Sequence, residues 1–334
     1  MLDNLSLLSS AESLFNSRNW IETLCITFDL DPILLQGENT VIPIAKFDNL
    51  HGTRLIGFPY TGCISLNGNI EAWAVALSKL IDLYPDYKIA LRFTSQTPPK
   101  EYLEGWNVEC MGITYRVETN CNKANILSRF SQPFAHQARQ AKRSGVTTIV
   151  TRELKNLQQF YNLYVNQRRK KFLLLSPPIK YFEKIHERWF NNESGFLMEA
   201  YVEGKLASGI VIVEYNNVWY NLFSASDPQY LKARPNNLLF EDLLFLANEK
   251  KIIGVDLGMC WLNEGDEGLR KFKQGMGGVG EFIYSSTYFP ENYNYLREEE
   301  ARNLFKHLTS QLVKIDLSEL EISNLGEILF KYFN

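Results

Sequence analysis

Three stretches of this chain carry residue types whose placement could do chemistry. In the first, a predicted strand ends at Ser224 and a loop from Ala225 to Pro235 carries Lys232 and Arg234. A helix follows, with Asn236 or Asn237 predicted as its N-cap. Free backbone N–H groups and the helix dipole make such a terminus a site for anions, and two upstream cations reinforce it. A pyrophosphate or a carboxylate suits that chemistry; the plain alternative is a solvated loop with two surface charges. In the second stretch, Val255-Asp256-Leu257-Gly258 is followed by Arg270-Lys271-Phe272-Lys273. A carboxylate at the end of a buried strand is costly unless it is paired or used. Arg270 and Lys273 are its candidate partners, in either a structural salt bridge or a working site. The third comprises Arg139, Lys142 and Arg143, then Arg168, Arg169, Lys170 and Lys171. Cations at helix ends complement the dipole, and contact with phosphate or RNA is the sharper reading.

Other chemistries lack their residues. Gly275, Gly277 and Gly280 spell GxGxxG, but a basic helix precedes them and a strand follows, the reverse of a dinucleotide site. There is no GxxxxGK[ST], HExxH or GxSxG, and His51, His136, His186 and His307 are dispersed. No metal site is expected. Five cysteines at long spacings, with no CxxC pair, read as free thiols in a reducing compartment, Cys260 as a small hydrophobe just after a strand.

The 334 residues are enough for about two domains. With 35 basic and 38 acidic residues the net charge is −3, which argues against a chain held on nucleic acid by bulk positive charge. Met1 to Trp20 lacks the basic lead and apolar run of a signal peptide. The longest uncharged stretch, Leu55 to Ile70, has 16 residues broken by glycines and a proline, too short and interrupted to span a membrane. A soluble, cytoplasmic protein is expected.

Helix and strand signals alternate in both halves. Strands are predicted at Val41–Phe47, Arg54–Phe58, Lys88–Phe93 and Met111–Val117, with a helix at Ile70–Leu83. Pro133–Ser144 reads as a basic helix stopped by Gly145, and Leu154–Lys170 as another helix. Phe196–Val202, Leu206–Glu214 and Val218–Ser224 are strands separated by Glu203-Gly204-Lys205 and Tyr215-Asn216-Asn217, a spacing that implies an antiparallel meander. A helix Leu238–Lys250, a strand Ile252–Leu257, a helix near Glu267–Lys273 and a strand Glu281–Ser286 follow, and the polar tail from Glu291 reads as helical.

The order of these pieces resembles the FemAB-like branch of the GNAT acyltransferase superfamily. The resemblance rests on Ala141-Lys142-Arg143-Ser144-Gly145-Val146 and the hairpin from Ala200 to Gly209. It continues through Ser224-Ala225-Ser226-Asp227, Arg234-Pro235-Asn236-Asn237, Val255-Asp256-Leu257-Gly258 and Arg270-Lys271-Phe272-Lys273. In the first half the matching piece is Gly57-Phe58-Pro59-Tyr60-Thr61-Gly62. The resemblance implies a mixed α/β (α+β) fold of two tandem GNAT-like domains, each a largely antiparallel sheet flanked by helices. Residues 1–125 would form the first domain, 126–290 the catalytic second and 291–334 a helical tail. It implies an N-acyltransferase that moves an acyl group from acyl-CoA to an amine of a small molecule, amino sugar or amino acid. Two alternatives stand beside it: a Fem-type transferase using aminoacyl-tRNA, and a GNAT-like binding protein without catalysis. By resemblance, the donor would lie in a gap between two parallel strands, with its phosphate held at the helix start by Asn236 and Asn237, assisted by Lys232 and Arg234. Lys273 and Asp256 would stand at the reacting groups, Glu199 would be a base on the central strand, and Arg270, Phe272 and Tyr220 would meet the acceptor. With no poised histidine, positioning is favoured over a dedicated base.

Overall fold

In the computed structural model, which describes residues 13–37, 40–49, 52–57, 64–65, 71–93 and 104–329, the chain divides into two compact units. One comprises residues 1–112, 282–311 and 329–334, and the other residues 113–281 and 312–328. Pro59 to Gly62, the turn on which the first-half resemblance rests, lies outside the described residues. The elements of the first unit begin with α1 (Arg18–Phe28), β1 (Asp31–Gly37), β2 (Thr40–Asn49), β3 (Gly52–Gly57), β4 (Ile64–Ser65), α2 (Glu71–Leu83) and β5 (Lys88–Phe93). Here β1, β2 and β3 pair antiparallel in turn, and β3 pairs parallel with β5 across the α2 connection. Ala76, Leu77 and Leu80 of α2 bury against Ile44, Leu55, Ile89 and Leu91. Burial of such side chains stabilises by roughly 1.5–3 kcal/mol each for the larger ones.

β6 (Trp106–Glu118) leads into α3 (Lys123–Arg129), α4 (Gln132–Arg143), β7 (Thr147–Thr151), α5 (Leu154–Gln167) and α6 (Ile179–Ile185). Then come β8 (Gly195–Val202), β9 (Lys205–Tyr215), β10 (Val218–Ser226), α7 (Pro235–Glu249), β11 (Gly254–Trp261), α8 (Glu267–Gly275) and β12 (Val279–Tyr288). The last helices are α9 (Tyr295–Leu312) and α10 (Glu319–Leu329). In the second unit the strand order is β6-β11-β10-β9-β8-β7. The expected meander is present as β8, β9 and β10, paired antiparallel in sequence, and β7, a strand the sequence reading did not contain, adds antiparallel to β8. Its turns use left-handed residues, Glu203 and Gly204 (φ 52° and 75°) and Asn216 and Asn217 (φ 49° and 58°), which match the twist of a tight hairpin. β10 and β11 are parallel, joined by α7. Both units thus contain a strand-helix-strand module with a parallel pair, and the fold is the expected mixed α/β class with largely antiparallel pairing.

The alternation of side chains sorts the second sheet into two faces. Phe196, Met198, Ala200 and Val202 join Trp219, Val255, Leu239, Leu243 and Leu244 in one core. The opposite face carries Leu197, Glu199 and Tyr201, and a side chain at Gly209 would collide with Phe160 of α5 (2.7 Å). Glycine there lets α5 lie close on the sheet. Two local expectations are corrected. Helix α7 begins at Pro235 with left-handed Arg234 (φ 61°) at its N-cap, so neither Asn236 nor Asn237 caps it. Proline is pre-set for a first turn, so the cap falls on Arg234, two residues before Asn236. Cys260 lies within β11 and is buried, because that strand runs to Trp261 rather than ending at Leu257.

Candidate active site

The site is built where two strands part. β10 and β11 are paired over only Val218–Tyr220 and Gly254–Asp256, although β10 runs on to Ser226 and β11 to Trp261. β10 also bulges against β9 between Asn221 and Phe223, which re-aims its outer half. The last paired residues, Tyr220 and Asp256, are register partners and share a face.

Asp256 marks this fork. Its Oδ1 accepts from the Gly258 N–H (2.7 Å) and the Thr114 hydroxyl (3.1 Å). Among the described residues, Oδ2 has no hydrogen-bond partner. Burial pushes the carboxyl above its usual range, against the opposing pull of Gly258, Thr114, Lys273 and Arg116. Gly258 is left-handed (φ 79°), and a side chain on it would stand 3.4 Å from the Asn221 carbonyl of β10. Lys273, from α8, is buried and donates to the carbonyls of Gly258 (2.8 Å) and Met259 (3.2 Å). The Gly258 residue is therefore gripped on both sides, its N–H by Asp256 and its C=O by Lys273. Burial holds the Lys273 ammonium below its ordinary range, with Cys260, Asp256 and Asp266 pulling the other way. An ammonium has three donors, and two of them meet these carbonyls.

The neighbouring predicted residues have distinct surroundings. Phe272 packs edge-on or tilted against Phe240 and Phe134, holding α8 to the core. Arg270 donates to the carbonyls of Trp261 and Asn263 (2.8 Å to the latter), closing the loop after β11. Tyr220 is buried. Glu199 is fully buried on β8; its Oε2 accepts from Asn156 (2.8 Å) and the Tyr201 hydroxyl (3.0 Å), and its Oε1 has no partner. Burial raises its pKa against those two donors. It shares the sheet face of Asp256 but lies three strands away, and four residues along β8 from Gly195, the residue in line with Asp256 across the sheet.

At the far end of β10, Lys232 and Arg234 are exposed in the connection that enters α7. No side chain caps α7. The Asn236 Oδ1 accepts from the hydroxyls of Ser208 and Ser226, the latter at 3.0 Å. Gln167 of α5 accepts from the Ser226 N–H (2.7 Å) and donates to the Ser224 carbonyl (3.4 Å). Asn237 is buried, and its Nδ2 has no partner. These side chains tie the end of β10 to the start of α7. Gln167, Ser208 and Ser226, and Thr114 beside Asp256, escaped the sequence reading; the one local hint was the cluster of small hydroxyl residues, Ser224 and Ser226, at a strand end. Of the basic runs, Lys142 pairs with Glu241, Arg168 donates to the Leu175 carbonyl (2.7 Å) and Arg169 to that of Ile315 (2.7 Å). Among the described residues no group of His, Cys, Asp and Glu side chains is arranged to hold a metal, and no helix is long and apolar enough to cross a membrane.

Residues 128–274 match the acetyltransferase (GNAT) domain family. No curated protein sequence matches the chain. Among solved structures, FemX superposes with a TM-score of 0.65 at 15% identity, covering 90% of this chain and 97% of FemX. The C-terminal domain of a putative lysylphosphatidylglycerol synthetase from Agrobacterium fabrum gives a TM-score of 0.57 at 12% identity, covering 92% and 95%. L-PGS from Bacillus licheniformis gives 0.56 at 12% identity, covering 88% and 92%. At such identities the likeness is one of fold.

Proposed function

We propose that this chain, whose residues 128–274 match the acetyltransferase (GNAT) domain family and whose fold is similar to that of FemX, is an N-acyltransferase that moves an acyl group from acyl-CoA to the amine of a small molecule, an amino sugar or an amino acid. The fork between β10 and β11, with the one-sidedly bonded Asp256 carboxylate at its apex, carries this reading. The donor's acyl end would enter the fork. Its phosphates would lie at the uncapped start of α7, beside Lys232 and Arg234, where N–H groups and the dipole favour anions.

The neutral acceptor amine attacks the thioester carbonyl. The new C–N bond forms, the C–S bond breaks, and the amine proton passes to Asp256 Oδ2 and from there to the leaving thiolate. A carboxylate with a raised pKa suits proton acceptance better than an ordinary aspartate does. Lys273 acts as a positioning residue, because its donors hold the strand end that carries the fork.

Calorimetric titration with acetyl-CoA and longer acyl-CoAs tests the donor. Binding that weakens and becomes less salt-sensitive in Lys232→Ala/Arg234→Ala supports the reading. Absence of acyl-CoA binding, with salt-sensitive binding of tRNA instead, moves the donor to aminoacyl-tRNA.

A further inference from the structure

The segment between α5 and α6 is absorbed by none of this chemistry. Its sequence is Arg168-Arg169-Lys170-Lys171-Phe172-Leu173-Leu174. The helix widens here into a single π turn over Arg168–Phe172 and ends at Leu173, whose φ of 54° is left-handed. A branched side chain rarely adopts that conformation without support from its surroundings. The support is visible. Arg168 donates to the Leu175 carbonyl (2.7 Å), its own carbonyl accepts from the Leu174 N–H (3.1 Å), and Arg169 reaches the carbonyls of Val313 (3.4 Å) and Ile315 (2.7 Å). Both arginines are thus spent on bracing the turn.

What the brace presents is apolar and cationic. Phe172, Leu173 and Leu174 are 45%, 49% and 41% exposed, three consecutive large side chains in water. Lys170 and Lys171 are exposed beside them, and the Lys171 ammonium lies 5.0 Å from the Phe172 ring centroid. The turn after α9 that Arg169 grips adds exposed Lys314 and Ile315, the latter 50% exposed, with Asp316 next to them. Lysines therefore outnumber acids in this patch three to one. Single exposed leucines are ordinary, but a contiguous apolar tip ringed by one sign of charge marks an interaction surface.

We propose that the tip from Lys170 to Leu174, with Lys314 and Ile315, docks on an anionic lipid surface. Lysines are drawn to anionic headgroups, and flexible stems let them keep their charge in water while apolar neighbours enter the interface. Nucleic acid fits less well. The arginines, the better phosphate grips, are turned inward, and leucines gain nothing against a phosphate backbone. The preceding residue, Gln167, holds the open end of β10 at Ser224 and Ser226, so docking would bring the fork towards the lipid surface. The proposal stands apart from the transfer chemistry.

Co-sedimentation of the full chain with vesicles tests it. Vesicles of equal parts phosphatidylglycerol and phosphatidylcholine should bind, and pure phosphatidylcholine should bind far less. Lys170→Gln with Lys171→Gln should lower partitioning about 30-fold, from the contribution of two lysines near an anionic surface. Phe172→Ser with Leu174→Ser should lower it by at least about tenfold while salt dependence persists. All four positions are exposed, and unchanged circular dichroism and melting would show that the variants fold. Equal binding of both vesicle types, or of parent and variants, overturns the proposal. So does tight binding of a single-stranded RNA without vesicle binding, or a dimer in solution that Phe172→Ser dissolves.

Discussion

Asp256→Asn separates what the fork costs from what it does. Both hydrogen bonds accepted by Asp256 fall on Oδ1, from Gly258 N–H and the Thr114 hydroxyl. An asparagine places its carbonyl oxygen there and keeps both. The variant should therefore stay within about 1 kcal/mol of the parent at neutral pH, or exceed it, because an ionised carboxylate is no longer held in a site that disfavours its charge. Asp256→Ala, which leaves both donors unmet, should lose about 2–3 kcal/mol. The pH dependence has a definite sign. The folded carboxyl binds its proton more tightly than the unfolded one, whose pKa is 3.8. The parent's relative stability is thus highest below 3.8 and declines as pH rises through the folded value, a component that the asparagine variant lacks. Activity should move the other way: without a proton acceptor on the second oxygen, acyl transfer should fall about 100- to 10,000-fold. Urea denaturation across pH, with a coupled thiol-release assay, measures both. A well-folded Asp256→Asn that transfers at the parent's rate, or one that loses more than about 2 kcal/mol at neutral pH, would refute the reasoning.

Lys273→Met keeps the aliphatic stem but drops the bonds to Gly258 and Met259, and should destabilise by about 2 kcal/mol after allowing for the relief of a buried ammonium. Because burial lowers the parent's lysine pKa, the parent gains stability as pH climbs towards the ordinary 10.5; in the methionine variant that rise should vanish from denaturation curves. Glu199→Gln should leave transfer kinetics unchanged, since Glu199 stands on β8, three strands over from Asp256 on β11; a large loss of kcat in a folded variant would make it part of the reaction. In the first unit, Glu298 accepts from Lys88 at 2.7 and 2.8 Å, from Arg302 at 2.7 Å and from Tyr293. Burial alone would raise its pKa, but Lys88, Tyr293 and Arg302 hold it at about 2 against an ordinary 4.5. That difference is worth about 3 kcal/mol, fully present above pH 4.5 and lost as pH falls towards 2. Glu298→Gln should remove about that much at neutral pH, and an unchanged midpoint in urea would contradict it.

Local chemistry made part of this molecule legible. The meander could be read because Gly204 and Asn216-Asn217 are residues that tolerate the left-handed turns of a hairpin. Helix α7 could be read because Pro235 suits a first turn, yet the same proline displaced the cap from Asn236 to Arg234. The fork was less accessible. Its opening depends on how far β10 and β11 stay paired, and pairing between strands joined by a whole helix leaves no short-range trace. Asp256 stood out as a carboxylate on an apolar strand and Lys273 as one candidate partner, but the backbone at Gly258, which links them, appears only once two distant segments meet there. The basic run at Arg168–Lys171 shows the same limit from the other side: four like charges in sequence divide in space, the arginines bonded to carbonyls and the lysines left at the surface. Charge type is a property of the sequence, whereas its use is set by which carbonyls the fold leaves unpaired nearby, and only tertiary structure settles that.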